Sequence, residues 1–178
     1  MLEENGPVRF FDWLCGVKDL LLATTVLRPE EMHVEALHND RVFERLLLYA
    51  KKHPDIWYMV MIDYENSKAR AGGLKMSEEE YADKVLGRTK ILSGIAKNIG
   101  LHPHLYIPYE DPLSYEAQKN EISRVKGLFD QIGIRASHIS FGYWTWDENT
   151  VKICDELGLK IHKRCMALHD YDLMGEKT

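Results

Sequence analysis

The chain has no apolar run approaching the roughly 20 residues that span a bilayer, no basic cluster and no Cys-x-x-Cys pair. The first absence excludes a membrane helix. The second, with a net charge of -5, argues against nucleic acid as a partner, because a phosphate backbone is held by a basic face. The three cysteines, Cys15, Cys154 and Cys165, are odd in number and far apart. They read as reduced packing thiols rather than a disulfide frame or a thiolate metal site. Met1-Leu2-Glu3-Glu4 lacks the positive region and apolar stretch of a secretion signal. Repeats, low-complexity tracts and linkers are missing too, and 178 residues suit one domain with a sizeable core. The expectation is a single cytoplasmic domain, residues 1–178, with no membrane and no nucleic-acid partner.

What is present is an alternation of strand-like and helix-like segments. Residues 20–27 form a continuous apolar and β-branched run, as in a strand buried on both faces. Val42, Phe43, Leu46, Leu47 and Ala50 recur at helical spacing, and His53-Pro54 ends that helix. Residues 56–62 read as a second buried strand with Asp63 at its carboxyl end, and residues 65–75, with Gly72-Gly73, as a loop able to act as a flap. Ser77-Glu78-Glu79-Glu80 is a capping box. It opens a helix expected to bury Tyr81, Val85, Leu92, Ile95 and Ile99 and to stop at Gly100. A third strand is expected near 101–106, a helix from 114 to 132, a fourth strand over 136–143, a short helix capped by Asp147, and a fifth strand over 160–167. Strands separated by crossover helices pair in parallel with right-handed connections. Five of them fit either an open doubly wound sheet or part of a (β/α) barrel, a complete barrel usually needing about 250 residues.

The most informative stretch is Leu101-His102-Pro103-His104-Leu105. Side chains alternate along a strand, so the two imidazoles share one face and lie about 7 Å apart. Two neutral imidazoles so placed can ligate one divalent metal. Pro103 marks a strand end, where α/β proteins carry their chemistry. The plain alternative is a pair of surface histidines at an irregular strand end.

Further residues strengthen the pattern. Ile99-Gly100-Leu101-His102-Pro103-His104-Leu105-Tyr106 is followed by a helix, then Ser137-His138-Ile139-Ser140-Phe141-Gly142-Tyr143, Asn149-Thr150 and Leu157-Gly158-Leu159. This order resembles the polysaccharide deacetylase family of the glycoside hydrolase/deacetylase superfamily, over the C-terminal half of the chain. The resemblance implies an α/β fold, an incomplete or distorted (β/α) barrel with mainly parallel strands. It also implies a divalent metal, zinc-like, held by an Asp and two His, and removal of acetyl groups from N-acetylated sugar-like substrates. His102 and His104 match the metal histidines, although the family spaces its pair as His-x-x-x-His. The family's Thr-Phe-Asp-Asp-Gly motif has no counterpart in Thr24-Thr25-Val26-Leu27-Arg28-Pro29-Glu30-Glu31, nor its Arg and Pro in Ile139-Ser140-Phe141-Gly142-Tyr143.

A hydrolytic metal site needs three protein ligands, an open position and a base. Asp63, ending the neighbouring strand, is the candidate third ligand, or else a turn or cap residue. Glu65 shares its parity and is a candidate base. Glu31, beside Glu30 where the family's aspartates would lie, is another, or else part of a helical first turn. His138 is a candidate stabilising imidazole or a buried strand residue. His162 and His169 read as surface or supporting positions, and Tyr143-Trp144-Thr145-Trp146 as a sugar-stacking platform or a rim over the core. Two functions compete with hydrolysis. One is a catalytically silent relative binding a carbohydrate or small metabolite, and the other is a sugar isomerase, which would need a four-ligand Glu/Asp/His set. The open side of a short barrel needs cover, from a second copy in a homo-oligomer or from residues 7–17.

Overall fold

Val34, Val60, Leu101 and Ile139 are register partners on four adjacent parallel strands, and all four are buried. The computed structural model describes residues 31–105, 113–142, 145–162 and 166–167. Its elements run β1 (Glu31–Val34), α1 (Asp40–Lys52), β2 (Trp57–Val60), α2 (Tyr64–Ala71), α3 (Glu78–Ser93), β3 (Asn98–Leu101), α4 (Tyr115–Gln131), β4 (His138–Ile139), β5 (Thr145–Trp146), α5 (Glu148–Glu156), β6 (Lys160–Ile161) and β7 (Met166–Ala167). Five strands form one open sheet in the order β1-β2-β3-β4-β6, every pair parallel, while β5 and β7 pair in parallel by themselves. This is the α/β class expected, with crossover helices between parallel strands.

Alternation divides the sheet into two unlike faces. One carries Val34, Tyr58, Val60, Ile62, Ile99, Leu101, Ile139 and Phe141, which join the helices in the hydrophobic core. The other carries Glu31, His33, Met59, Gly100, His102, His138, Ser140 and His162. Four backbone bonds extend the ladder past the strand ends: Met61 to Val34, His102 to Val60, Ser140 to Leu101 and His162 to Ile139. The polar face is therefore populated at the carboxyl ends.

That face is concave. In a flat sheet β1 and β6, four strand spacings apart, would be separated by about 19 Å. Yet the Glu31 carboxylate on β1 touches His162 Nδ1 just past β6, and His33 lies 3.2 Å from the Ser140 hydroxyl beyond β4. Only a sheet curled on itself brings these edges together, which is the incomplete barrel. Gly100 shows how tightly it curls. A Cβ there would sit 2.5 Å from Met59 Sδ and 3.1 Å from the His138 carbonyl, so the third strand passes under its neighbours only without a side chain.

The helices follow their caps. Ser77 and Glu80 form the expected capping box of α3, Asp147 and Thr150 cap α5 reciprocally, and Gly133 leaves α4 in the left-handed conformation at φ 73°. Four features differ from expectation. Residues 65–75 are not a flap, because Asp63 accepts from Asn66 N and starts α2, which ends at Gly72 with φ 69°. The helix α3 ends at Ser93, so Ile99 belongs to β3. The histidine strand starts at Asn98, earlier than expected, leaving His102 one residue past its end. The fifth strand divides, Met166–Ala167 pairing with β5 instead of the main sheet. Cys154 is buried and forms no disulfide among the described residues. No described helix is long and apolar enough to cross a membrane. The expected strand at 20–27, the covering segment 7–17, Glu30, Cys15, Cys165, His169, Tyr143 and Trp144 lie outside the described residues.

Candidate metal centre

A polar triplet and a pair of histidines converge on the concave face. From β1, Glu31, His33 and Glu35 alternate with Met32 and Val34. From the end of β3 come His102 and His104. One ligand-capable atom each of His33, Glu35 and His102 lies within 4.8 Å of the others. The set sits at the carboxyl ends of the strands, where ligand sites of parallel sheets occur.

The surroundings fix the chemistry of each imidazole. His102 is fully buried, and its Nδ1 lies 2.7 Å from the Ser140 carbonyl oxygen. A carbonyl only accepts, so Nδ1 carries the proton and donates. Burial first, then the neighbouring imidazoles of His33 and His104, holds the pKa of His102 well below the usual histidine range. The ring is therefore neutral and its Nε2 bears a lone pair. That nitrogen faces Glu35 Oε1 at 3.4 Å. Two electron-rich atoms thus approach each other, one on a buried ring and one on a partly exposed side chain, an arrangement that a cation satisfies. Two imidazoles and a carboxylate are also the usual borderline donor set for zinc. The residues present fit a divalent metal.

Glu31 and Ser140 support the set. Glu31 is buried, with Oε1 3.0 Å from His33 Nε2 and Oε2 against His162 Nδ1. The Ser140 hydroxyl also approaches His33, so this residue touches two of the three donors. Hydrogen bonds of this kind set ring orientation and tautomer at metal sites.

His104 lies beside the set, its Nε2 3.8 Å from Glu35 Oε1 and its ring edge-on to His102 at 5.1 Å. Asn66, on the first turn of α2, places Nδ2 against His104 Nδ1. Gly142 leaves room for the ring, since a Cβ there would lie 2.8 Å from His104 Nε2.

The other expected site residues lie outside the His33–Glu35–His102 set. Asp63 spends its carboxylate on capping α2, 2.9 Å from Asn66 N, and is not in the His33–Glu35–His102 set. Glu65 is exposed on α2 and reaches Lys68 at 3.7 Å, turned to solvent because helical geometry carries it off the inner face. His138 faces inward, but its ring stacks on Trp57 at 3.9 Å and its Nδ1 meets Ser137 Oγ at 3.0 Å. Burial, followed by His162 and Lys160, lowers its pKa. Glu31 is neither exposed nor in a helical turn; β1 makes it an inward strand residue. His162 is buried, not superficial. Trp146 packs on the core. The sequence reading missed His33, Glu35, Ser140 and Asn66. A signal for the first two was present: Glu-x-His-x-Glu over 31–35 has the same alternation as His102-x-His104.

No protein-family model matches the chain, and no curated protein matches it. Among solved structures, a family 4 carbohydrate esterase from Streptomyces lividans in complex with acetate is similar, with 12% identity and a TM-score of 0.47. The similarity covers 74% of this chain and 58% of that one, so less than two thirds of that protein's length is spanned.

Proposed function

We propose that the chain is a metal-dependent hydrolase that removes acetyl groups from N-acetylated sugar-like substrates. The observation that carries the reading is the convergence of His102 Nε2 and Glu35 Oε1, both acceptors, 3.4 Å apart beside His33. His33, Glu35 and His102 would hold the ion, with zinc the candidate. A divalent ion bound there supplies Lewis acidity, polarising an acyl oxygen and lowering the pKa of water to about 7. The resemblance of residues 99–164 to polysaccharide deacetylases supports the acetamide as substrate.

The chain's own residues supply the proton chemistry. Attack on an acetamide carbonyl releases a proton from water and requires one at the leaving nitrogen. His162, in contact with Glu31 through Nδ1, is the residue we assign to carry that proton from the one to the other on Nε2. Glu31, desolvated and fixed by His33, stabilises the imidazolium while it exists, the part a buried carboxylate plays beside an acid–base histidine. Glu31 therefore orients and stabilises and is not itself the proton carrier. Ser140 keeps His33 and His102 aligned. The concave face would admit a small molecule or a single sugar unit at the strand ends.

The test is zinc content by mass spectrometry on protein purified without chelator, with acetate release from N-acetylated amino sugars. One zinc per chain, lost in His102→Ala and Glu35→Ala together with acetate release, is the expected result. Protein that takes up no zinc at micromolar concentration overturns the reading. Zinc bound without acetate release, and with sugar binding retained, would favour the silent carbohydrate-binding relative instead.

A further inference from the structure

The exposed residues of α1 are Asp40, Arg41, Glu44, Arg45, Leu48, Lys51 and Lys52. The cations among them are spread along the sequence, so no basic run appears there, and the helix gathers them. At 3.6 residues per turn, Arg41, Glu44, Arg45, Lys51 and Lys52 all project within about 60° of Leu48. The opposite side of the helix, Leu46, Tyr49 and Ala50, is buried, so this face looks away from the sheet. Leu48, at its centre, is 63% exposed. The adjoining helix is α3, tied to α1 where Asp40 meets Lys84 at 2.9 Å and also Arg88, whose guanidinium lies 4.8 Å from the Phe43 ring. One turn past Arg88, Ile91 is 53% exposed. Leu48 and Ile91 are the exposed large apolar side chains among the described residues.

Exposed cations elsewhere find carboxylates: Lys68, Lys97, Lys119, Arg124 and Lys126 each pair with one. Arg41, Arg45, Lys51 and Lys52 make no ion pair among the described residues, and Glu44 is the one acid in their midst. Helix electrostatics accounts for only part of this. Lys51 and Lys52 suit the carboxyl end of the macrodipole, whereas Arg41 stands in the first turn, where a cation is disfavoured. Four unpaired cations on one face, in a chain whose net charge is -5, fit an anionic partner.

We propose that this face docks on an anionic lipid bilayer, the four cations meeting headgroups while Leu48 and Ile91 enter the interface. The apolar pair selects lipid over other polyanions. A nucleic-acid backbone offers nothing to Leu48 amid its cations, whereas a headgroup layer binds basic side chains and buries an apolar one between them. The outer face of a helix is convex and cannot enclose a protein side chain, and a fluid bilayer does not require it to. That no described helix crosses a membrane does not bear on a surface contact. The face lies outside the sheet, so the proposal does not rest on the metal centre.

The test is co-sedimentation of the full chain with vesicles of phosphatidylcholine, alone or with roughly one-third phosphatidylserine. Binding is expected only to the mixed vesicles, and it should vanish near 1 M salt, where the screening length falls to about 3 Å. Each basic residue near such a surface strengthens binding about fivefold, so Arg45→Gln with Lys52→Gln should weaken it about 25-fold. Lys68→Gln with Lys97→Gln removes the same charge from paired sites and should change binding little. Leu48→Ser should weaken binding severalfold while keeping the salt dependence of the wild type. All five are exposed positions, and urea midpoints at the wild-type value show that the fold is intact. A wild type that ignores the mixed vesicles, or binds both kinds equally, overturns the proposal. So does an equal loss in the Lys68 and Lys97 pair. Loss in the Arg45 and Lys52 pair with Leu48→Ser at the wild-type level would mark a site for an acidic protein or another polyanion, and would also overturn it. None of these readouts uses zinc or acetate release, so they decide the surface whatever the hydrolase test gives.

Discussion

Glu31→Gln is the most searching single change, because Glu31 ties the first strand to the last. Both of its oxygens are used, Oε1 by His33 Nε2 at 3.0 Å and Oε2 by His162 Nδ1, and the side chain is buried. Glutamine keeps the shape and one acceptor, but its amide nitrogen must then face an imidazole N–H, donor against donor. One buried partner is left unsatisfied, which costs about 1–3 kcal/mol. For a chain of 178 residues each kcal/mol moves the melting temperature by roughly 2–4 °C, so a fall of roughly 2–12 °C is expected. Glu31→Ala leaves two imidazoles unpaired and a cavity, and should cost about 3–5 kcal/mol, the range for breaking a buried pair. Urea unfolding followed by far-ultraviolet circular dichroism measures both. A second readout separates support of the site from support of the fold: zinc affinity in Glu31→Gln should fall about 10- to 100-fold through loss of the His33 partner. Variants as stable as the wild type would refute the argument that β1 and β6 are joined across the concave face.

Gly100→Ala should destabilise by about 1–3 kcal/mol, because the added methyl meets Met59 Sδ at 2.5 Å and a backbone carbonyl that cannot yield; an unchanged urea midpoint would contradict the close strand crossing. Asp63→Ala should cost about 0.5–2 kcal/mol as a lost helix cap while zinc stoichiometry stays at the wild-type value, and loss of zinc would return Asp63 to the ligand set. Asp40, held at a pKa of about 2 by Arg88 first and Lys84 second, is a depressed carboxylate, so its contribution is present above pH 3.8 and lost as pH falls through 2. Because it is 71% exposed, solvent screens most of that shift, and Asp40→Asn should cost no more than about 1 kcal/mol at neutral pH, the difference from wild type disappearing in unfolding curves taken near pH 2.

The helices were legible because each carries its own stop and start. Ser77 with Glu80, Asp147 with Thr150, and Gly133 act within a few residues, and local chemistry decides them. The parallel order was legible from the crossover lengths. The α2 helix was not, because Gly72-Gly73 outweighed a weakly amphipathic eight-residue segment whose N-cap, Asp63, was assigned another task. The strand ends were misjudged for a different reason. β4 and β6 are two residues each, and their extent depends on the neighbour's register, which no single segment encodes.

The site was half legible, and the missing half has one cause. His102 and His104 were found because a strand-like alternation was applied to them. The same alternation in Glu31-Met32-His33-Val34-Glu35 went unused because the preceding residues, 20–27, were the more apolar run and drew the strand reading for that region. A strand that lines a polar concave face has hydrophobic residues only at alternate positions, so its mean hydropathy is low and a search for buried runs passes over it. The residues that make it chemically interesting are the ones that hide it. The carboxylate beside His102 then depends on curvature: the same curl that lets Glu31 reach His162 brings Glu35 against His102. In a flat sheet of the same strand order, β1 and β3 would stand about 10 Å apart, and Asp63 on the intervening strand would have been the better choice. The contact between the two edges of the sheet therefore favours Glu35 over Asp63 as the carboxylate of the proposed centre.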